Sequence, residues 1–361
     1  MNSNKIILTF LILFISCSRS YSQTYNYEFD EFFFGRQPSA RSEALGRSFV
    51  SIVGDANSYY YNPAGLAGLH GLNLSGTYAD PYYLATDASY NFLSASYRIG
   101  NYGVVGISRD YLKLADVQVT NEFGVPTGKE YTLSLRNLRL SIASEVIKNL
   151  YAGVNLNFFR SYDFTSFNIA GDGQPENIFY ADLGVIKSLN FDGKNLKHTV
   201  NFGSSIININ SGGGNGDYLQ LPVIFRIGAA YNLIIDNKEI IPNLKNYNFL
   251  LTSEYQKLFN SDHYDGIKTG LEFTLLELLS LRTGYYFQDI RKDNCENCKK
   301  ELNEFTFGFG VNVPIQKLSK SNIPLNIMFD YTALEQPSHV TDIKNWSDFH
   351  VYNLRLNWLF K

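Results

Sequence analysis

Apolar residues recur at every second position through most of the chain beyond residue 72. Leu150, Ala152, Val154, Leu156 and Phe158 alternate with Tyr151, Gly153, Asn155 and Asn157. Leu221, Val223, Phe225, Ile227, Ala229, Tyr231 and Leu233 form one face of a later run, with Arg226, Gly228 and Asn232 on the other. Phe305, Phe307, Phe309, Val311 and Val313 alternate with Glu304, Thr306, Gly308, Gly310 and Asn312. A period of two is that of a β-strand whose two faces meet different surroundings. The runs are about nine to fourteen residues long, against the five or six usual in soluble sheets. Roughly ten residues is what a tilted strand needs to cross a bilayer.

The pattern predicts an all-β fold, a transmembrane antiparallel barrel of about fourteen strands, the even number that closure of a bacterial barrel requires. The expected strands are 72–80, 88–99, 101–112, 131–144, 150–163, 178–189, 196–209, 220–233, 246–257, 264–275, 278–290, 303–313, 323–332 and 348–360. Tight connections fall at Gly100-Asn101, 145–149, 190–195 and Leu276-Glu277. Longer ones fall at 113–130, 164–177, 210–219, 291–302 and 333–347. Short turns on one side and long loops on the other are the asymmetry of an outer-membrane barrel. The final strand carries Tyr352, Leu354, Leu356, Trp358 and Phe360 on one stripe, resembling the aromatic-ended strand that outer-membrane assembly recognises. A sandwich or propeller would also alternate, but neither explains strands of this length with two-sided loop asymmetry, and no repeat of about 40 residues is visible.

One strand departs from the pattern. Between residues 131 and 144 the apolar set moves from odd positions (Leu133, Leu135) to even ones (Leu138, Leu140, Ile142). A slip of one residue is the mark of a β-bulge, expected here at Arg136-Asn137, where the wall would be locally open to an apolar ligand; the other reading is that the upper part of the strand has left the membrane.

Ahead of the strands, Lys5, the apolar run Ile6–Ile15 and Ser20-Tyr21-Ser22 read as a signal peptide over 1–22. Cys17 leaves a second reading open, that of a lipoprotein cysteine. Residues 23–71 then form a separate N-terminal segment, and 72–361 the barrel. Composition agrees with strands: 26 Tyr and 27 Phe against 2 Met favour a sheet over a helical core. A net charge of −3 without a basic block carries no polyanion-binding signal, so no nucleic-acid partner is expected.

The N-terminal segment contains the densest local signals. Ser39 can open a short helix that Gly46 closes, and Phe49–Val53 is apolar enough for one buried strand. Asp55 or Asn57 can cap a helical turn through Tyr59-Tyr60-Tyr61, which ends at Asn62 because Pro63 follows. A fourteen-stranded wall leaves a hole that its own side chains do not fill, so this segment is expected to plug it. Arg98, Arg139, Arg226, Arg282 and Arg355 phase inward together with Asp182, Glu254, Glu272 and Asp330, predicting an ion-pair lattice that anchors the plug.

Three stretches of it, Leu45–Val50, Gly54–Ser58 and Tyr61–Leu66, resemble the N-terminal hatch of the FadL superfamily. The resemblance covers about thirty residues and implies a fourteen-stranded outer-membrane barrel with an Asn-Pro-Ala hatch motif, here Asn62, Pro63, Ala64 and Gly65. Its compact length is more similar to the PorV/PorQ branch, associated with type IX secretion, although the motif is common to both branches. The implied function is non-enzymatic export or passage across the outer membrane, with secretion-system proteins or exported cargo as partners besides outer-membrane lipid. The alternative is a FadL-like transporter holding a small hydrophobic molecule beside Phe49, Tyr59 and Tyr60.

Other candidate chemistry is thin. Cys295 and Cys298 form a single Cys-x-x-Cys with no second pair or nearby histidine, which reads as a loop disulfide and not a metal site. Asp262-His263, His339 and His350 would be needed for an outer-membrane hydrolase, but no nucleophile motif accompanies them. The glycine-rich run 211–216 follows no strand-turn-helix context and reads as a loop, so no cofactor is expected.

Overall fold

A computed structural model of the protein describes residues 39–80, 88–121, 123–162, 176–193, 195–209, 221, 223–235, 244, 247–259, 263–290, 301–319, 322–336 and 346–359. The leader with Cys17, the Cys295–Cys298 pair, the run 211–216 and His339 lie outside the described residues. Fourteen strands form a closed antiparallel barrel: β1 (Leu72–Asp80), β2 (Ser89–Ile99), β3 (Gly103–Thr120), β4 (Pro126–Ile147), β5 (Leu150–Tyr162), β6 (Glu176–Asp192), β7 (Leu196–Ile209), β8 (Val223–Ile235), β9 (Tyr247–Phe259), β10 (His263–Leu275), β11 (Leu279–Ile290), β12 (Glu301–Pro314), β13 (Leu325–Gln336) and β14 (Trp346–Trp358). Each strand pairs with its neighbours in sequence, and β14 returns to β1 in register from Leu72↔Trp358 to Asp80↔His350. No edge is left unpaired, as a bilayer requires.

The two faces of each strand differ as the alternation predicts. Leu138, Leu140 and Ile142 of β4, Leu93 and Tyr97 of β2 and Phe305 and Phe307 of β12 all stand exposed on the outside. An apolar band of this extent is unstable in water and is covered by acyl chains in a membrane. Arg139, Arg226, Glu254 and Asp330 point inward and are buried.

Two expectations are corrected. The stretch 113–130 is not a long loop: β3 and β4 run past it, pairing Val117↔Tyr131 and Gln118↔Glu130. The tip closes at Asn121, whose side-chain oxygen accepts from the Phe123 and Val125 amides at 3.0 and 2.9 Å. Nor is there a bulge at Arg136-Asn137. The ladder is continuous there on both sides, with Tyr111↔Arg136 and Asp110↔Asn137 toward β3 and Arg136↔Arg160 and Asn137↔Phe159 toward β5. The register shifts of this pair of strands lie farther toward the tip, between Lys113 and Ala115 and between Gln118 and Thr120. β4 keeps its phase; what changes is the face on which apolar residues are needed. Leu133 and Leu135 point into the barrel and are 0% and 2% exposed, whereas Leu138, Leu140 and Ile142 point out.

A second irregularity went unnoticed in the sequence. Between β6 and β7 the register passes from Ala181↔Ile209 to Leu183↔Ile206, so β7 carries an extra residue. Asn208 there adopts φ 62°, and its amide donates to Asp182 at 2.9 Å.

The end of the barrel with tight turns is expected to face the periplasm. A tag inserted between Phe123 and Gly124, at the β3–β4 tip, should be labelled on intact cells. A tag at Gly100-Asn101 should be labelled only after the outer membrane is permeabilised; surface labelling there would invert the topology.

Candidate functional site

Residues 39–71 lie within the barrel as a compact chain of turns. Helix α1 (Ala40–Ala44) begins at Ser39, whose hydroxyl accepts from the Ser42 amide at 3.4 Å. It ends in two left-handed residues, Gly46 (φ 61°) and Arg47 (φ 65°). Phe49–Val53 is not a strand but a turn closed by Ile52 N–H donating to Phe49 O at 3.1 Å. Two of its amides turn to the wall instead: those of Phe49 and Val50 both donate to Glu254 Oε2, at 2.8 and 2.9 Å. Two 3-10 turns follow, Ser58–Tyr60 and Pro63–Gly68. Asn62 caps the second, accepting from Ala64 N–H at 3.0 Å, with Pro63 in the first position where its missing N–H costs nothing.

The Asn62 amide nitrogen does more than cap. It faces Val50 O at 2.8 Å within the hatch, and Val185 O and Ser204 O, both at 3.2 Å, on β6 and β7. Val185 and Ser204 are register partners, so this single side chain is seated on the β6–β7 seam. Close approach is possible because the wall residue beneath it is Gly184. A methyl added there would stand 1.9 Å from Asn62 Oδ1. Gly153, the register partner of Gly184, would likewise meet Pro63 backbone at 2.4 Å. A methyl added to either of the paired Gly270 and Gly284 would stand 2.5 Å from Leu45 O or 2.0 Å from Gly46 N, and one on Gly106 would stand 2.2 Å from the Tyr59 hydroxyl. Inward glycines on at least five strands therefore let the backbone of residues 39–71 lie directly on the wall.

Charge fixes the opposite side of this N-terminal segment. Arg41 contacts Asp55 at 2.9 Å and Glu272 at 2.7 Å. Asp55 also meets Arg355 at 2.6 Å, Arg355 meets Asp330 at 2.6 Å, and Asp330 meets Arg282 at 2.8 Å. Arg282 pairs with Glu272 and closes the circuit. Three guanidiniums and three carboxylates thus alternate in a buried ring, two members from the hatch and four from β10, β11, β13 and β14. Burial alone would raise the Asp55 carboxyl, but Arg355 and Arg41 overturn that and hold it below the usual aspartate range. On the strands flanking the ring, Arg98 of β2 donates to Leu69 O at 2.7 Å, and Arg226 of β8 to Tyr60 O at 3.1 Å.

Above the hatch, toward the long-loop end, the inner wall changes character. Phe92, Leu112, Leu133, Leu135, Phe159 and Ile178 point inward from β2–β6 and belong to one buried apolar cluster. The facing wall is polar there, with Lys268 donating to Glu254 and Gln256 at 3.0 and 2.7 Å and the Tyr286 hydroxyl donating to Glu304 at 2.7 Å.

Its structural neighbours include a FadL homologue. That protein, from Pseudomonas aeruginosa, is 8% identical, with 90% of this chain and 99% of the other covered and a TM-score of 0.46. The toluene transporter TbuX of Ralstonia pickettii is 12% identical over 90% and 98% of the two chains, with a TM-score of 0.48. The monoaromatic hydrocarbon channel CymD is 10% identical over 90% and 98%, with a TM-score of 0.49. No protein-family model and no curated protein matches the sequence.

The sequence-derived candidates are distributed unevenly. Asn62, Pro63, Ala64 and Gly65 sit together at the β5–β7 wall. Phe49, Tyr59 and Tyr60 are all buried but do not share one pocket: Phe49 and Tyr60 pack with Tyr61 and Leu250, while Tyr59 joins the larger cluster with Phe92. Tyr60 lies between two guanidiniums, Arg226 at 5.3 Å and Arg139 at 5.6 Å from its ring. Asn137 points inward and is buried, whereas Arg136 is exposed on the outside. Arg139, Arg226, Arg282 and Arg355 pair with carboxylates as the phasing predicts, whereas Arg98 donates to the backbone carbonyls of Leu69 and Ala67. The hatch members of the ion ring, Arg41 and Asp55, were not anticipated, and neither was the use of the strand glycines. Glycine at inward positions of long strands was the available signal.

Proposed function

We propose that the protein is an outer-membrane channel for small hydrophobic molecules, with residues 1–22 removed as a signal peptide, 23–71 acting as hatch and 72–361 as barrel. The observation that supports this most directly is the inward apolar wall around Leu133 and Leu135. A lumen built only for water and ions gains nothing from apolar walls, whereas an uncharged ligand leaving water does, at about 25 cal/mol per Å² of apolar surface covered. The hatch below this wall closes the lumen to ions, and the Asn62 seat and the ion ring are the two fastenings that passage has to loosen.

Uptake of radiolabelled toluene by cells producing the protein tests the reading. Replacing Leu133 and Leu135 by Gln should lower uptake about tenfold or more, since each loses roughly 1.5–3 kcal/mol of apolar contact when buried. Undiminished uptake, with heat-modifiable folding intact, would refute the apolar path. The export reading rests on the resemblance of the hatch motif to the PorV/PorQ branch. It would be preferred if secretion-system proteins or exported cargo co-purified from native membranes while toluene uptake matched that of cells lacking the protein.

A further inference from the structure

The outside of the barrel carries a feature that passage through the lumen does not use. On β3–β5 the lipid-facing apolar belt ends abruptly in arginine. One row of register partners reads Leu93, Arg109, Leu138 and Phe158, and the next row toward the long loops reads Asn91, Tyr111, Arg136 and Arg160. Leu93 is 54% and Leu138 42% exposed, so Arg109 stands at the upper margin of the apolar belt. Its guanidinium lies 4.8 Å from the Tyr111 ring, Arg136 5.2 Å from the same ring, and Arg160 4.9 Å from Tyr162.

Among the described residues no carboxylate forms an ion pair with Arg109, Arg136 or Arg160. Arg136 and Arg160 are direct cross-strand partners, an arrangement in which like charges repel. Such a cluster is stable when an anion lies between the guanidiniums, and at this depth of a bilayer the available anion is a lipid headgroup. Beneath it, the wall has a depression of about 470 Å³ that includes Leu74, Gly76, Ala95, Ile107, Leu354 and Arg109 itself. The small outward residues Gly76 and Ala95 create the hollow, and the surrounding leucines make it apolar. A cationic cluster directly above an apolar hollow matches a phosphate joined to an acyl chain.

We propose that the β3–β5 face binds a phosphorylated lipid of the outer leaflet, its phosphate held by Arg109, Arg136 and Arg160 and an acyl chain lying in the hollow at Gly76. The site is outside the barrel and independent of the hydrophobic path, so loss of toluene uptake and loss of lipid binding are separate results. The test uses the full-length protein in detergent, with lipid A added in its diphosphorylated and dephosphorylated forms and retention measured by native mass spectrometry. The wild type should retain the phosphorylated form preferentially, and rising sodium chloride should remove that preference. Changing Arg109, Arg136 and Arg160 together to Gln should weaken retention about 100-fold at low salt, from the contribution of each cation near a charged lipid surface. Gly76→Leu should weaken it with the charges intact. Equal retention of the two lipid forms by the wild type, which needs no variant, would overturn the proposal, as would unchanged retention by the folded triple variant or by Gly76→Leu.

Discussion

Replacing Asp55 by alanine should open the barrel to ions while leaving it folded. Asp55 is the carboxylate that the N-terminal segment gives to the ion ring, and it joins Arg41 of that segment, at 2.9 Å, to Arg355 of the wall, at 2.6 Å. Arg355 is buried and Arg41 part-buried, and although Arg41 keeps Glu272 and Arg355 keeps Asp330, the loss of Asp55 leaves the ring with one more guanidinium than carboxylates. Breaking a buried pair in this way costs roughly 3–5 kcal/mol. The barrel ladder does not pass through Asp55, and the fourteen paired strands keep their hydrogen bonds. The cost therefore falls on the hatch. Single-channel recording in planar bilayers should show frequent ion-conducting openings in the variant and few in the wild type. A variant as closed as the wild type would mean that the ring does not hold the hatch. The same ring sets an acid limit. Because the carboxyl is held below its ordinary value of 3.8, its contribution is complete above that pH and is lost as pH falls through the lower folded-state value. Openings in the wild type should accordingly increase only under strongly acidic conditions.

The second large effect is expected from the smallest substitution available. Gly184→Ala adds one methyl group to β6 at a position whose backbone accepts alanine, yet that methyl would stand 1.9 Å from Asn62 Oδ1 and 3.0 Å from Pro63 Cδ. The hatch has to withdraw, and the Asn62 amide then loses Val185 O and Ser204 O together. Leaving a buried polar group unpaired costs about 1–3 kcal/mol. Amides of residues 58–66 should exchange with deuterium about tenfold faster or more in the variant, on that cost. Gly76→Ala is the control, because the outward methyl meets only Leu93 Cδ2, at 3.4 Å; its hatch amides should exchange as in the wild type. Asn62→Ala removes the atom that clashes, so combining it with Gly184→Ala should add little to the effect of Asn62→Ala alone. Full additivity, or unchanged exchange in Gly184→Ala, would show that Asn62 is not seated on this wall.

What the sequence determined by itself was the wall. A period of two maintained over a bilayer's span specifies strands, their number and their two faces, because each residue's side is set by local backbone geometry. The inward sorting of Arg226, Arg282, Arg355, Glu254 and Asp330 follows from the same rule. The N-terminal segment was legible in part: the helix opening at Ser39 and the end of a turn at Asn62 before Pro63 follow from local chemistry, whereas Phe49–Val53, apolar enough for a strand, is a turn and Asn62 also caps the turn that follows. The tertiary structure decided what each face meets. Arg355 and Asp55 are separated by 300 residues, and Gly184 is recognisable as a seat only once Asn62 lies on it. The change of apolar positions in β4 was misread as a bulge for this reason. Alternation reports a difference between two faces but does not say which is apolar, and β4 passes from a stretch with an apolar lumen inside it to one with lipid outside it. Only closure of the barrel around residues 39–71 separates those two environments.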